Sequence, residues 1–393
     1  MLKVTIITPD VSHNCIGRAW VLASILNKSY DVEIVGPRFG NSVWPPLLDM
    51  DINIPIKSVG VNKIGYSFPL FYKEIIPLIE GDIVYVSKLH LSSLIPALIA
   101  NSKLNIPYLV DVDDWELGFV INMLKNKSLL QKPLYYISSS LLWARFSSYW
   151  QFYLPDRFAG MFNVPITVSN SFLKRKFGGT IIWHTRDEEK FDPALYDQFE
   201  SRRKFGIPED KKVILFFGTP RPYKGVENLI LALSMLHRKD SVLVIAGLGE
   251  DPYSRFIATL GKEKLGDSFI GLGYIPLSKA PEVVSIADVY VVPQHDSPAT
   301  LGQMPAKVFD AMAMAKPIVA TRVSDLPYVL AGVGRLIYPG DLKGLANEIE
   351  FLLDNECYSR KLGIKARRRF VKEFGLSAMS EKMKKLFKRE GLL

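Results

Sequence analysis

Cysteine is scarce. The two in 393 residues, Cys15 and Cys357, lie far apart, which gives neither a metal-ligand spacing nor a disulfide framework and fits a reducing compartment. Long apolar runs are missing as well. Nothing approaches the ~18–20 residues a membrane span needs, and the opening LKVTIIT, Leu2 to Thr8, reads as a strand without the layout of a signal peptide. These absences point to a cytoplasmic chain. No GxGxxG follows the first strand, so a dinucleotide fingerprint is lacking. Acidic residues almost vanish between Lys125 and Lys176, where Asp156 alone stands against Lys125, Lys127, Lys132, Arg145, Arg157, Lys174, Arg175 and Lys176.

What is present is an ordinary globular composition, 48% hydrophobic and 23% charged, with no need for disorder. The length allows two domains, each with its own core. The net charge of +9 is uneven: residues 1–200 carry 19 Lys+Arg against 19 Asp+Glu, and the excess lies in the second half, mostly after Arg360. An uneven basic surface suggests an anionic partner.

Val4 to Thr8, Asp31 to Val35, Asp82 to Val86 and Tyr108 to Val112 read as buried strands, with a helix from Arg18 to Leu26 after the first. The pattern predicts a parallel sheet that binds ligands at its carboxyl edge. Gly17 is a contact there, or simply the residue that opens the helix. Tyr108 to Val112 runs into Asp111-Val112-Asp113-Asp114-Trp115-Glu116. A DxD can hold a divalent cation; the other reading is a solvated or acceptor-facing cluster, and no metal is expected. Aromatic residues crowd Ser128 to Phe162, among them Tyr135, Tyr136, Trp143, Phe146, Tyr149, Trp150 and Tyr153. Rings among cations suit the headgroup region of an anionic membrane. They equally describe a helix pair with rings in the core and cations in water. The same composition could stack bases, but no nucleic acid is expected. Ile166 to Ser169 and Thr180 to Trp183 close a first domain over 1–195. The polar stretch Arg186 to Lys204 reads as a linker.

Val213 to Phe217 opens a second domain, over 205–372. Gly218-Thr219-Pro220-Arg221-Pro222-Tyr223-Lys224-Gly225 follows, and then a helix, Val226 to Leu236. Two cations before a helix start make a diphosphate clamp. Ser241 to Ala246 leads to Gly247-Leu248-Gly249, Phe269 to Gly273 leads to Tyr274, and Asp288 to Pro293 is a further strand, so this half is also doubly wound α/β. The fullest signal is Thr300 to Asp325. Gly302, Gln303, Met304 and Pro305 form a loop before a helix, Ala306 to Ala315, and a strand, Ile318 to Thr321. Gly302 lets a ligand approach the backbone, the helix start suits phosphate, and Asp310 can accept hydrogen bonds from the hydroxyls of a ligand there. Residues 373–393 read as a basic amphipathic helix.

In this order the residues resemble the retaining glycosyltransferases of family 4, clearest from Val213 to about Phe370. Gly218 and Lys224-Gly225 match the family's glycine and Lys-Gly pair. Thr219 stands where the family often has arginine, and Arg221 is the candidate substitute. Gly247-Leu248-Gly249, Ala287-Asp288 to Pro293, and Asp310 with Ala311-Met312-Ala313 and Lys316-Pro317 follow; Val168-Ser169 and Ile182 to Pro193 resemble the stretch before the linker. Of the family's two glutamates, the second is Asp310 and the first falls at Gly302, so sugar contact there passes to backbone N–H groups and the Gln303 amide. The family's acceptor-side histidine has no match; Asp113 and Asp114 stand about there.

The resemblance implies a GT-B fold: two Rossmann-like, doubly wound α/β domains facing each other across a cleft, with 373–393 packing back on the first. It implies a retaining, metal-independent glycosyltransferase without a cofactor, whose substrate is a nucleotide diphosphate sugar. Arg221 and Lys224 would then stabilise the leaving diphosphate and Asp310 would take the ribose. Gly218, Thr219, Gly247, Gly249, Tyr274, Gly302, Gln303, Met304 and Pro305 would bind the donor. Gly17, Asp113 and Asp114 would lie on the acceptor side. The aromatic-basic segment and the basic C-terminus suggest a lipid-linked or polysaccharide precursor as acceptor, at the inner face of the cytoplasmic membrane. Two alternatives stay open: a GT-B nucleotide-sugar epimerase, converting donor without acceptor, and a nucleotide-sugar-binding scaffold that has lost transfer. The motifs carry no signature of the sugar, the base, the acceptor or the oligomeric state.

Overall fold

Val4, Ile6 and Ile7 are wholly buried and have parallel neighbours on both sides. A strand so placed is covered on both faces, which is why it reads as a continuous apolar run without alternation. The computed structural model describes residues 2–48, 50, 54–61, 71–125, 127–141 and 148–393. It divides into two compact units, one of Met1–His184, Leu301–Met304 and Met379–Leu393, the other of Thr185–Thr300 and Pro305–Ala378.

Among the described residues the first unit has β1 (Lys3–Ile7), β2 (Asp31–Arg38), β3 (Ile56–Gly60), β4 (Ile83–Ser87), β5 (Tyr108–Val112), β6 (Ile166–Val168) and β7 (Thr180–Ile181), in the order β3-β2-β1-β4-β5-β6-β7. The second has β8 (Lys212–Phe217), β9 (Ser241–Ala246), β10 (Phe269–Leu272), β11 (Val289–Val292), β12 (Ile318–Thr321) and β13 (Arg335–Ile337), in the order β10-β9-β8-β11-β12-β13. Every strand pair is parallel, with Val4 opposite Val32 and Ile83 in one sheet and Leu215 opposite Val244 and Tyr290 in the other. Both units are therefore Rossmann-like α/β domains. Strand order reverses between β1 and β4 and between β8 and β11, and in such sheets ligands bind at the carboxyl ends beside that reversal.

Each unit has its own core. In the first, Val84, Val86 and Val110 pack with Leu94 and Ala97 of helix Leu91–Leu104. In the second, Ile214, Ile245 and Val291 pack with Leu229 of helix Val226–Ser234 and Ile349 of helix Leu342–Asp354. Strands β3 and β13 escaped the sequence reading, being short and partly exposed.

Residues 186–204 are not a linker. Thr185 donates to the Phe374 carbonyl at 2.5 Å. Helix Gln198–Lys204 starts at Asp197, whose side chain accepts from Glu200 N–H. The buried Arg202 donates to the Ile286 carbonyl at 2.9 Å and pairs with Asp288 at 2.7 Å. Polar letters that suggest a solvated tether are bonds of a folded segment, so residues 185–195 belong with the second unit. Helix Leu376–Arg389 places Met379, Met383, Leu386 and Phe387 in buried positions, with Phe387 stacked on Tyr30 in the first unit. No helix of the described residues is long and apolar enough to cross a membrane.

Candidate active site

In the second unit the loops after β8, β9 and β11 meet at the carboxyl edge. Gly225 has φ +66°, and a Cβ there would lie 2.1 Å from the Pro293 carbonyl oxygen. The glycine of the Lys-Gly pair is thus required by the proline that ends β11. Gly247 (φ +97°) likewise abuts Gly218, where a Cβ would approach the backbone to 3.0 Å. The Tyr223 carbonyl accepts from His295 N–H at 3.0 Å, tying the β8 and β11 loops together. Glycines are the residues that tolerate both the positive φ and the close approach.

These turns hold a group of cations. Lys224 Nζ donates to the Thr219 carbonyl at 2.7 Å, and Arg221 meets Asp251 at 3.2 Å with its guanidinium largely exposed. Lys307 Nζ lies 3.7 Å over the Phe217 ring and 3.1 Å from Asp310. Burial lowers the Lys307 ammonium from its ordinary value; Asp310 opposes this and Arg186 adds to it. Thr219 and Gly249 are exposed on the loops after β8 and β9, and Tyr274 is exposed on the loop after β10.

The Asp310 side chain is wholly buried and its carboxylate is ion-paired with both Arg186 and Lys307. A carboxylate so enclosed balances two cations. The helix that carries it is shorter than the sequence suggests, Lys307–Ala313, because Pro305 and Ala306 serve as carbonyl acceptors ahead of it.

Gly302, Gln303 and Met304 belong to the first unit. Trp115 N–H donates to the Gly302 carbonyl at 3.1 Å, and a Cβ on Gly302 would lie 2.2 Å from Trp115 Cβ. The close approach that this glycine permits is taken by Trp115 and not left for a ligand. Gln303 Nε2 reaches Asp114 at 3.4 Å, and Met304 is buried.

Asp113 and Asp114 sit beside the β1/β4 reversal, in a charged network that is largely buried. Arg18 makes a two-pronged contact with Asp111, Nε and Nη2 each at 2.9 Å from a carboxylate oxygen. Lys88, at φ +67°, reaches Asp114 at 2.6 Å, Glu116 at 3.1 Å and Asp113 at 3.3 Å. His184 Nε2 is 2.8 Å from Asp113. Burial alone would raise Asp113; His184, Lys88 and Arg18 outweigh it and hold the carboxyl well below its usual range. Asp114 goes the other way, raised by burial and by its acidic neighbours against the pull of Lys88. The cluster is largely buried and centred on the Lys88 ammonium, and among the described residues no group of three or more His, Cys, Asp or Glu has metal-binding geometry. Gly17 opens helix Ile16–Leu26 and faces Trp44 at an ordinary 3.6 Å.

Sequence reasoning missed Arg18, Lys88, His184, Arg186 and Lys307. Lys307 stands three residues before Asp310, a spacing that pairs side chains on a helix, and was open to discovery. The others meet partners far along the chain, where no spacing rule operates.

Residues 197–369 match the model of the family Glycosyl transferases group 1. The D-inositol 3-phosphate glycosyltransferase of Corynebacterium glutamicum (strain R) is 30% identical over 190 residues, which cover 45% of this chain and 44% of that protein. The chain spans about half the length of the curated relatives it matches. Among solved structures, Anabaena HepE in complex with UDP-glucose superposes with a TM-score of 0.75 at 17% identity, over 99% of this chain and 100% of that one. Sucrose-phosphate synthase from Thermosynechococcus elongatus gives 0.69 at 19%, over 99% of each chain. By sequence over residues 197–369, and by fold over the rest, the chain has the architecture of the GT-B glycosyltransferases.

Proposed function

We propose that this chain transfers a sugar from a nucleoside diphosphate sugar to an acceptor hydroxyl, with retention at the anomeric carbon and without a metal. The observation that carries the reading is the β8/β11 reversal, where glycine turns bring Arg221, Lys224 and Lys307 to one edge. The leaving diphosphate gains negative charge as the glycosidic bond breaks. Cations placed beforehand stabilise that charge more than they stabilise the ground state. Arg221 and Lys224 act on the diphosphate directly. Asp310 is a positioning residue that holds Lys307. In the first unit, Asp113 and Asp114 face the acceptor.

The likeness to HepE, solved with UDP-glucose, supports a nucleotide sugar as donor. A thermal-shift panel of UDP, GDP and ADP, each alone and as sugar conjugates, tests it: a ligand of the native state raises the melting temperature by mass action. A shift with one base is expected, and no shift with any of them would overturn the reading. The anomeric coupling of the product, read by NMR, tests retention; turnover undiminished by a chelator tests metal independence.

The acceptor in this proposal is a lipid-linked glycan precursor at the inner face of the cytoplasmic membrane. Support comes from the basic, apolar surface of the first unit around helix Gln131–Leu141. Labelled sugar recovered in an organic extract of membranes is the expected result.

A further inference from the structure

Helix Gln131–Leu141 is turned inside out. Among its described side chains Ser139 is the buried one, and Ser148 Oγ donates to the Ser139 carbonyl at 3.0 Å. Two of its aliphatic side chains face water: Leu134 is 64% and Ile137 55% exposed, and Leu129 and Leu130, which lead into the helix, are 86% and 81% exposed. Leu130, Leu134 and Ile137 follow at i, i+4 and i+7, one stripe of a helix. A soluble surface normally puts such a stripe inward; an exposed one marks a docking site.

Several described rings of this region pack on one another. Tyr149 meets Tyr136 edge-on at 5.1 Å and stacks on Tyr153 at 5.0 Å, and Trp150 donates to Ser140. They brace helix Gln131–Leu141 against helix Tyr149–Phe158. Trp143, Arg145 and Phe146 lie outside the described residues. The C-terminal helix is not the contact, because its apolar side chains are already buried.

Charge identifies the occupant. Lys125, Lys127 and Lys132 stand next to the leucines along the chain, and Arg157 is an exposed cation of helix Tyr149–Phe158, which packs on helix Gln131–Leu141. Asp156, the one acid between residues 125 and 176, is taken up by Trp115 Nε1 and Lys176, each at 2.9 Å. Apolar side chains rimmed by cations, with no acid free among them, match an anionic lipid surface, where the leucines enter the acyl boundary and the cations meet the headgroups.

We infer that Leu129, Leu130, Leu134 and Ile137 form a membrane-docking face, held out by the inverted helix and drawn to anionic lipid by Lys125, Lys127, Lys132 and Arg157. The inference deepens the lipid-linked acceptor reading above, and its test reads lipid binding separately from donor binding. The test is flotation of the full chain with vesicles of phosphatidylcholine alone, or with about one-quarter phosphatidylglycerol, at low and high salt. The wild type is expected to float with anionic vesicles at low salt and to lose at least tenfold in partition at high salt. Combined Leu130→Ser, Leu134→Ser and Ile137→Ser is expected to lose at least tenfold on the same vesicles, with the UDP-induced thermal shift unchanged. Combined Lys385→Glu and Lys388→Glu, on the C-terminal helix, is expected to float within a factor of a few of the wild type. Failure of the wild type to float, or flotation of the triple variant like the wild type, would overturn the inference. So would light scattering that finds a wild-type dimer and a triple-variant monomer, since the stripe would then cover a second copy of the chain. If the UDP shift fails while flotation succeeds, the fault lies with the sugar-transfer reading and not with the docking face.

Discussion

At the scale of single residues, the site is a set of charges held by distant partners. Lys224 is the most exposed to test. Lys224→Ala is expected to lower turnover at saturating donor by about a hundredfold or more, the loss usual for one transition-state contact. Full turnover would remove Lys224 from the mechanism. A second residue tests the reading of burial. Lys316 Nζ donates to the carbonyls of Ser285 at 2.6 Å and Ala287 at 3.0 Å. Burial lowers its ammonium from 10.5 to about 8. The unfolded chain keeps this proton up to about 10.5, while the native state gives it up near 8. Between those values the unfolded state binds more protons, so this group makes stability rise with pH. The melting temperature of the wild type should therefore gain on that of Lys316→Met as pH climbs from about 8 towards 10.5; parallel curves would sink the assignment. Lys224, Gly225 and Asp310 were legible because they recur at short, motif-like spacings. Asp310 was legible as a position only: its partner Arg186 lies 124 residues earlier, and nothing local announces the pair.

At the scale of elements, the parallel strands were legible because burial on both faces writes itself as an unbroken apolar run. The segment 186–204 was not, because hydrogen bonds from Arg202 and Thr185 to buried carbonyls leave the same polar letters as a tether. Ser128 to Phe162 left two readings open, rings at a membrane or rings in a core, and the exposure of Leu134 and Ile137 was not legible because apolar letters at helical spacing look like core. The C-terminal helix gives the prediction at this scale. Met379, Met383, Leu386 and Phe387 are each nearly inaccessible, and burying such a side chain stabilises by about 1.5–3 kcal/mol. A chain ending at Ala378 should lose several kcal/mol from the first unit, read as a lowered urea midpoint. An unchanged midpoint would mean that these contacts are dispensable.

At the scale of the whole molecule, length and the two runs of strand–helix alternation announced two domains. The membership of 301–304 in the first unit was not legible, since so short a segment is assigned by tertiary contacts that no local pattern encodes, whereas the packing of 379–393 there was expected from the family resemblance. Two cores predict unfolding that departs from a single two-state transition, with a calorimetric enthalpy above the van't Hoff value. The nucleotide that gives a shift in the UDP, GDP and ADP panel is expected to raise the transition of the second unit. Equal enthalpies would show that the units melt as one.

The two sheets share one winding, so their crossovers can be matched in order. The step from β12 to β13 spans only residues 322–334, whereas its counterpart from β5 to β6 spans residues 113–165. A parallel crossover of this kind therefore closes with far less chain than the first unit spends on it. The added length lies beyond the Asp113–Asp114 network and Trp115, in helices Glu116–Lys125, Gln131–Leu141 and Tyr149–Phe158. On the docking proposal these three helices are an address that the crossover itself does not need, and grafted into the same crossover of a related scaffold they are expected to bring that protein to anionic vesicles.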